Sequence, residues 1–162
     1  EEDLGTWVTP FVMAAINTRI VQRSNYILKS AYGDDFVYDE MFVTGPGEKG
    51  EAIANAMAND KGMSGDGGPK PGEGPSKEER ETGFYDMIYI GLDNQGNSLK
   101  VAVKGDRDPG YGSTSKIITE AAICLVKDAT DTPGGMWTSA PAMGDKLIKR
   151  LEANAGVTFT QE

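Results

Sequence analysis

Two apolar stretches, GFYDMIYIGL (83–92) and SLKVAVKG (98–105), stand on either side of the five residues DNQGN. No other feature constrains the fold as strongly. The flanking residues are rich in the β-branched and aromatic side chains that suit a pleated, half-buried surface. Asparagine and glycine between two such runs favour a tight reversal, so the spacing predicts an antiparallel hairpin. Parallel strands instead need long crossovers, usually helical. A hairpin in mid-chain therefore argues against a doubly wound nucleotide-binding sheet.

The segments around the hairpin add helices. Thr9 suits an N-cap and Pro10 a first helical position, and Val12, Ile16 and Ile20 continue at helical spacing. The pattern predicts a helix over 10–31, closed by Gly33. DFVYDEMFVT (35–44) alternates like a strand, and GEAIANAMAND (50–60) like a short helix. Residues 62–80, dense in glycine and proline, read as a flexible loop. A helix is expected over 114–128, another capped by Ser139 and running through Ala153, and a last strand at VTFTQ. Helices mixed with hairpin-paired strands define an α+β fold, with a mostly antiparallel sheet covered by helices and no complete Rossmann unit. A chain of 162 residues fits one domain, 1–162. Its opening, EEDLGTW, reads as the tail of a linker and suggests part of a longer protein.

Charge and cysteine content narrow the function. A net charge of −9 repels nucleic acid and anionic membranes, so neither is an expected partner. Lys146, Lys149 and Arg150 form the densest basic cluster and are read as complementing the dipole at a helix end. Cys124 is the single cysteine; it lies in an apolar helix and is expected to be a buried, inert thiol. A reducing, cytoplasmic setting is the simplest reading. The chain has no histidine, which removes the commonest general base and the commonest metal ligand; no metal site is expected. No spacing of Asp or Glu singles out a catalytic pair.

Two places could hold a ligand. The loop GDRDPGYGSTSK (105–116) runs into a helix, but it lacks the second glycine and the hydroxyl of a P-loop. It ends in serine where a dinucleotide fingerprint needs glycine. One reading is a tight strand-to-helix turn in which Gly110 and Gly112 supply dihedrals closed to other residues, Asp108 belongs to the turn, and Ser113 or Thr114 caps the helix. The other is that free amides at the helix start, with Tyr111 and Lys116 beside them, hold a carboxylate or other anion. On the first helix, Arg19 and Arg23 lie one turn apart with Asn17 nearby. They fit either a solvated face paired to acids or an anionic ligand.

Four segments, WVTPFVMAAINTRIVQRSN (7–25), PGEGPSKEERETGFYDMIYIG (71–91), KGDRDPGYGSTSKIITEAAICLVKD (104–128) and APAMGDKLIKRLEANAGVTF (140–159), together resemble the C-terminal part of the saccharopine dehydrogenase-like oxidoreductases, a group that includes the trans-acting enoyl reductases. The resemblance implies a two-part protein. An N-terminal domain binds NAD(P), and the present chain corresponds to the second domain, which faces a small-molecule substrate and often carries a homodimer contact. It implies no cofactor bound by this chain alone, and no hydride transfer without the nucleotide-binding domain as partner. Asp108 to Gly112 would be a turn near the substrate, with Tyr111, Lys116, Asn17, Arg19 and Arg23 as substrate-side candidates. The alternative is a non-catalytic binding or scaffolding module of the same fold.

Overall fold

The computed structural model describes residue 1 and residues 4–60 and 72–162. The fold is α+β, with helices and two small antiparallel sheets. The described residues fall into two compact units, Glu1–Gly72 and Glu73–Glu162.

In the first unit, β1 (Trp7–Pro10) pairs antiparallel with β2 (Met41–Gly45), Val8 opposite Val43 and Pro10 opposite Met41, with a bulge between Trp7 and Val8. Thr9 and Pro10, expected to open a helix, instead end a strand. The side chain of Thr9 is buried in the ribbon, and α1 (Ala14–Ile27) starts after Met13. The helix also ends before the expected residue 31. Asn25, buried at its end, accepts the N–H of Tyr32 (2.8 Å) and donates to the Gly33 carbonyl (2.9 Å). The chain thereby folds into a turn that carries Lys29 and Ser30 at positive φ.

The strand expected over 35–44 is confined to 41–45. A strand requires a partner, and β1 offers only four residues. Residues 36–40 are held to α1 by side chains instead: Gln22 Nε2 donates to the Phe36 carbonyl (3.1 Å) and Asn17 Nδ2 to Glu40 Oε2 (2.9 Å). α2 (Gly47–Asn59) starts three residues earlier than expected and packs on the ribbon. Gly50 sits directly against the Gly45 backbone. The Thr44 hydroxyl lies 2.9 Å from the Gly50 carbonyl and 3.1 Å from that of Trp7.

The second unit contains the hairpin. Of the loop expected over 62–80, residues 62–71 lie outside the described residues, and its far end is helical. α3 (Lys77–Thr82) starts with a capping box in which Ser76 Oγ accepts the Glu79 N–H (3.2 Å) and Glu79 Oε2 accepts the Ser76 N–H (2.7 Å). β3 (Tyr85–Leu92) and β4 (Ser98–Gly105) pair without a shift, as the sequence predicts. The Asp93 carboxylate organises their turn by accepting the N–H groups of Gln95 (2.9 Å) and Asn97 (2.8 Å). After α4 (Gly112–Lys127) and α5 (Ser139–Asn154), β5 (Val157–Gln161) returns to the free side of β4, Phe159 opposite Val103.

The core of this unit lies between α5, α4 and one sheet face. Val103, Leu151, Ala155 and Val157 are buried there, with Ile117, Leu147 and Phe159 packed around them. A second cluster, Cys124, Ala129, Ala142 and Met143, joins the two helices. Cys124 has no solvent exposure, and burial pushes its thiol pKa up, consistent with an inert thiol. α5 breaks at Gly144 (φ 48°, ψ −133°), and the Thr132 hydroxyl donates to the Ala142 carbonyl (2.7 Å) just before the break.

No basic residue lies in the last turn of α5, where its dipole acts. Arg150 bonds Glu120 on α4 and Asp128 just beyond it, each at 2.8 Å, and Lys146 pairs with Asp131. Acids brought close by the α4–α5 packing are their partners.

Candidate functional site

The loop between β4 and α4 is ordered around one carboxylate. Asp108 Oδ1 accepts the Gly110 N–H at 2.9 Å, and its Oδ2 accepts those of Tyr111 (2.9 Å) and Gly112 (2.6 Å). Its own carbonyl accepts the Ser113 N–H at 2.8 Å. The amides that an anion would seek at the start of α4 thus already hold one, supplied from four residues upstream. These bonds, from Gly112 and Tyr111 foremost, hold the Asp108 carboxyl below the usual range.

The two glycines are needed for close approach. Neither Gly110 nor Gly112 has a positive φ, contrary to the turn reading of the sequence. A Cβ on Gly112 would lie 2.6 Å from the Arg80 carbonyl oxygen and 3.2 Å from Arg107 Cβ; one on Gly110 would lie 3.1 Å from Asp108 Oδ1. Nor does a hydroxyl side chain cap the helix. Tyr111 occupies the N-cap, Thr114 Oγ1 donates to the Pro109 carbonyl (2.9 Å), and buried Ser113 turns inward to the Tyr85 hydroxyl (3.0 Å). An Asp-Pro-Gly sequence favours such an aspartate-closed turn, and that signal could have identified the resident anion.

Tyr111 is well exposed, and its ring lies close to Gly74, where a Cβ would come within 3.3 Å of it. Lys116 Nζ stands 3.7 Å from Asp106 Oδ1, a long and largely solvated pair. Asp108, Gly110, Tyr111, Gly112, Ser113 and Lys116 therefore come together at one helix start. Asn17, Arg19 and Arg23 lie on α1 of the other unit, where both arginines are exposed. The Asn17 side chain is engaged with Glu40, which also accepts the Tyr38 hydroxyl at 2.6 Å; no local sequence pattern marks this cluster. Among the described residues no group of His, Cys, Asp and Glu side chains could hold a metal ion, and no helix is long and apolar enough to cross a membrane.

A charge-removing substitution isolates the role of Asp108. Its folded pKa is depressed, so the stability it contributes is present above the unfolded value of about 3.9 and is lost as pH falls through the lower folded value. Asp108→Asn is expected to melt below the wild type at pH 7, with the gap closing in acid. Thermal melts followed by circular dichroism from neutral to strongly acid pH would check this. A gap that does not change with pH would show that the charge contributes nothing.

Fold and site together describe an α+β chain in which the glycine loop of the second unit is closed by its own aspartate, with no dinucleotide-binding strand–loop–helix among the described residues. The chain is homologous to proteins named trans-acting enoyl reductases. It is 37% identical, over 96% of its length, to one from Mycobacterium tuberculosis whose name is provisional. It is 33% identical, over the same share, to one from Mycobacterium bovis, and 32% identical over 91% to one from Mycobacterium ulcerans. These relatives carry the name of enoyl reductases, not of saccharopine dehydrogenases. The chain spans only about two fifths of their length: 41%, 41% and 39% respectively. No family profile matches the chain, and no solved structure matches it.

Proposed function

We propose that this chain is the substrate-side portion of an NAD(P)-dependent, trans-acting enoyl reductase of the wider saccharopine dehydrogenase-like group, with a small-molecule substrate. The observation that carries the reading is the match over 96% of the chain to a relative that bears the name trans-acting enoyl reductase. A nicotinamide cofactor supplies a hydride for such a reduction. The residues of this chain do not fit that cofactor at the glycine loop, because Asp108 already occupies the amides that a pyrophosphate would need. Cofactor binding is assigned to a nucleotide-binding domain outside these residues.

In this reading the chain positions the substrate and supplies no hydride. Tyr111 is an exposed aromatic wall beside the α4 start. Lys116, in a long pair with a solvated aspartate, is available to an anionic substrate group. On α1 of the other unit, Arg19, Arg23 and Asn17 are substrate-side candidates by the resemblance alone. The protein works in the cytoplasm, with neither nucleic acid nor membrane as partner, and the active form is a homodimer.

The test is an NADPH fluorescence titration of the 162-residue chain beside the product of its full reading frame, followed by an enoyl-thioester reduction assay. The chain alone is expected to leave NADPH fluorescence unchanged, and the longer protein to bind NADPH and oxidise it only with the enoyl substrate present. Tight NADPH binding by the chain alone, or a longer protein inert to both, would overturn the proposal.

A further inference from the structure

Strand β3 is the outer strand of its sheet. β4 pairs with it from Tyr85 opposite Gly105 to Leu92 opposite Ser98, and no described strand lies on its other side. The ends of the ladder show which residues bond to β4. The Asp93 N–H donates to the Asn97 carbonyl, and on the far side of β4 the Glu162 N–H donates to the Lys100 carbonyl, both at 3.0 Å. Bonding alternates along an antiparallel ladder, so the odd-numbered residues of β3 face β4. Asp86, Ile88, Ile90 and Leu92 therefore turn their N–H and C=O groups outward.

Outer strands usually carry a device against pairing: short length, lysine, proline or a bulge. β3 has eight residues, neither lysine nor proline, and an unbroken register. Much of its apolar surface is exposed, with Met87, Ile88, Tyr89 and Leu92 between 38% and 66% exposed. Its one charge, Asp86, is paired at 2.8 Å with Lys104 of the neighbouring strand.

We propose that β3 is the docking edge for a second copy of this chain, the two strands meeting antiparallel about a two-fold axis at Tyr89. This register sets even-numbered residues against even-numbered residues, so every outward backbone group along the shared stretch finds a partner. Ile88 faces the partner's Ile90, and Asp86 faces the partner's Leu92. The two copies of Asp86 stand at opposite ends of the contact, so no like charges oppose each other. Ile88 and Ile90 extend an apolar strip on one face of the joined sheet, and Met87 and Tyr89 do so on the other. A self-complementary strand of this kind satisfies what an isologous interface requires. The inference names the surface of the proposed homodimer and holds whether or not the protein is an oxidoreductase.

Light scattering behind gel filtration, over micromolar to submillimolar concentrations of the 162-residue chain, is expected to show a monomer–dimer equilibrium. Ile88→Lys should weaken it by about tenfold or more while leaving the circular dichroism spectrum unchanged. Tyr89→Cys provides an independent readout. At the axis, facing residues of the non-bonded type lie about 4.5 Å apart at Cα, close enough for a disulfide. The native Cys124 is fully buried. Mild oxidation should therefore cross-link Tyr89→Cys into a dimer faster than the exposed control Thr130→Cys. If Ile88→Lys fails to fold, the cross-linking comparison decides. A folded chain that stays monomeric would leave the edge to a strand of another polypeptide and overturn the proposal. So would a dimer in which Tyr89→Cys links no faster than Thr130→Cys.

Discussion

Gly50→Ala is expected to destabilise the chain by about 3 kcal/mol. The added Cβ would overlap the carbonyl carbon and oxygen of Gly45 and stand 3.3 Å from its Cα. All three atoms belong to backbone, so no side-chain rotation relieves the clash. Alanine within a helix recovers about 1 kcal/mol through its higher propensity, too little to offset overpacking of this kind. α2 would have to lift from the ribbon, loosening the contacts that the Thr44 hydroxyl makes with Gly50 and Trp7. Urea unfolding followed by circular dichroism measures the change, and a midpoint equal to wild type would show that α2 is not seated on Gly45.

Leu151→Ala is expected to cost a similar amount, about 3 kcal/mol, for the opposite reason. Leu151 is 7% exposed and lies between Val103, Ala155 and Val157, with Leu147 beside it. Truncation removes apolar contact and leaves a cavity that two helices and a sheet cannot collapse to fill. The urea midpoint should fall with little change in the slope of the transition, because the surface exposed on unfolding is nearly the same. Leu147→Ala, at a half-buried position touching both clusters, should cost less. Equal losses at the two positions would place the centre of the core elsewhere.

The second unit was the more legible in the sequence, because its signals are local. Strong strand formers flank an Asn/Gly turn, and Leu147 and Leu151 repeat one helical turn apart, so each element declares its type from its own residues. The first unit misled because its elements depend on partners. Thr9 and Pro10 make an acceptable helix start in isolation, but pairing with Met41 and Phe42 prevails. Residues 36–40 alternate like a strand, yet the short β1 leaves them without a neighbour to bond. Of the candidate site, the residues at the α4 start could be located from the glycine pattern. Glycine spacing does not show that the anion there is Asp108 itself; the signal for it lies in the Asp-Pro-Gly sequence, which favours an aspartate-closed turn. Arg150 misled for a similar reason: its acids, Glu120 and Asp128, lie 30 and 22 residues away along the chain.

A tethered carboxylate at the α4 start has a further consequence. Asp108 is covalently confined beside the amides it bonds, so its effective concentration there is set by the chain and not by the anions in solution. Phosphate, sulfate or nucleotide in the surroundings would have to outcompete a group that never diffuses away. The geometry of this helix start is therefore buffered against changes in the ionic composition of the medium.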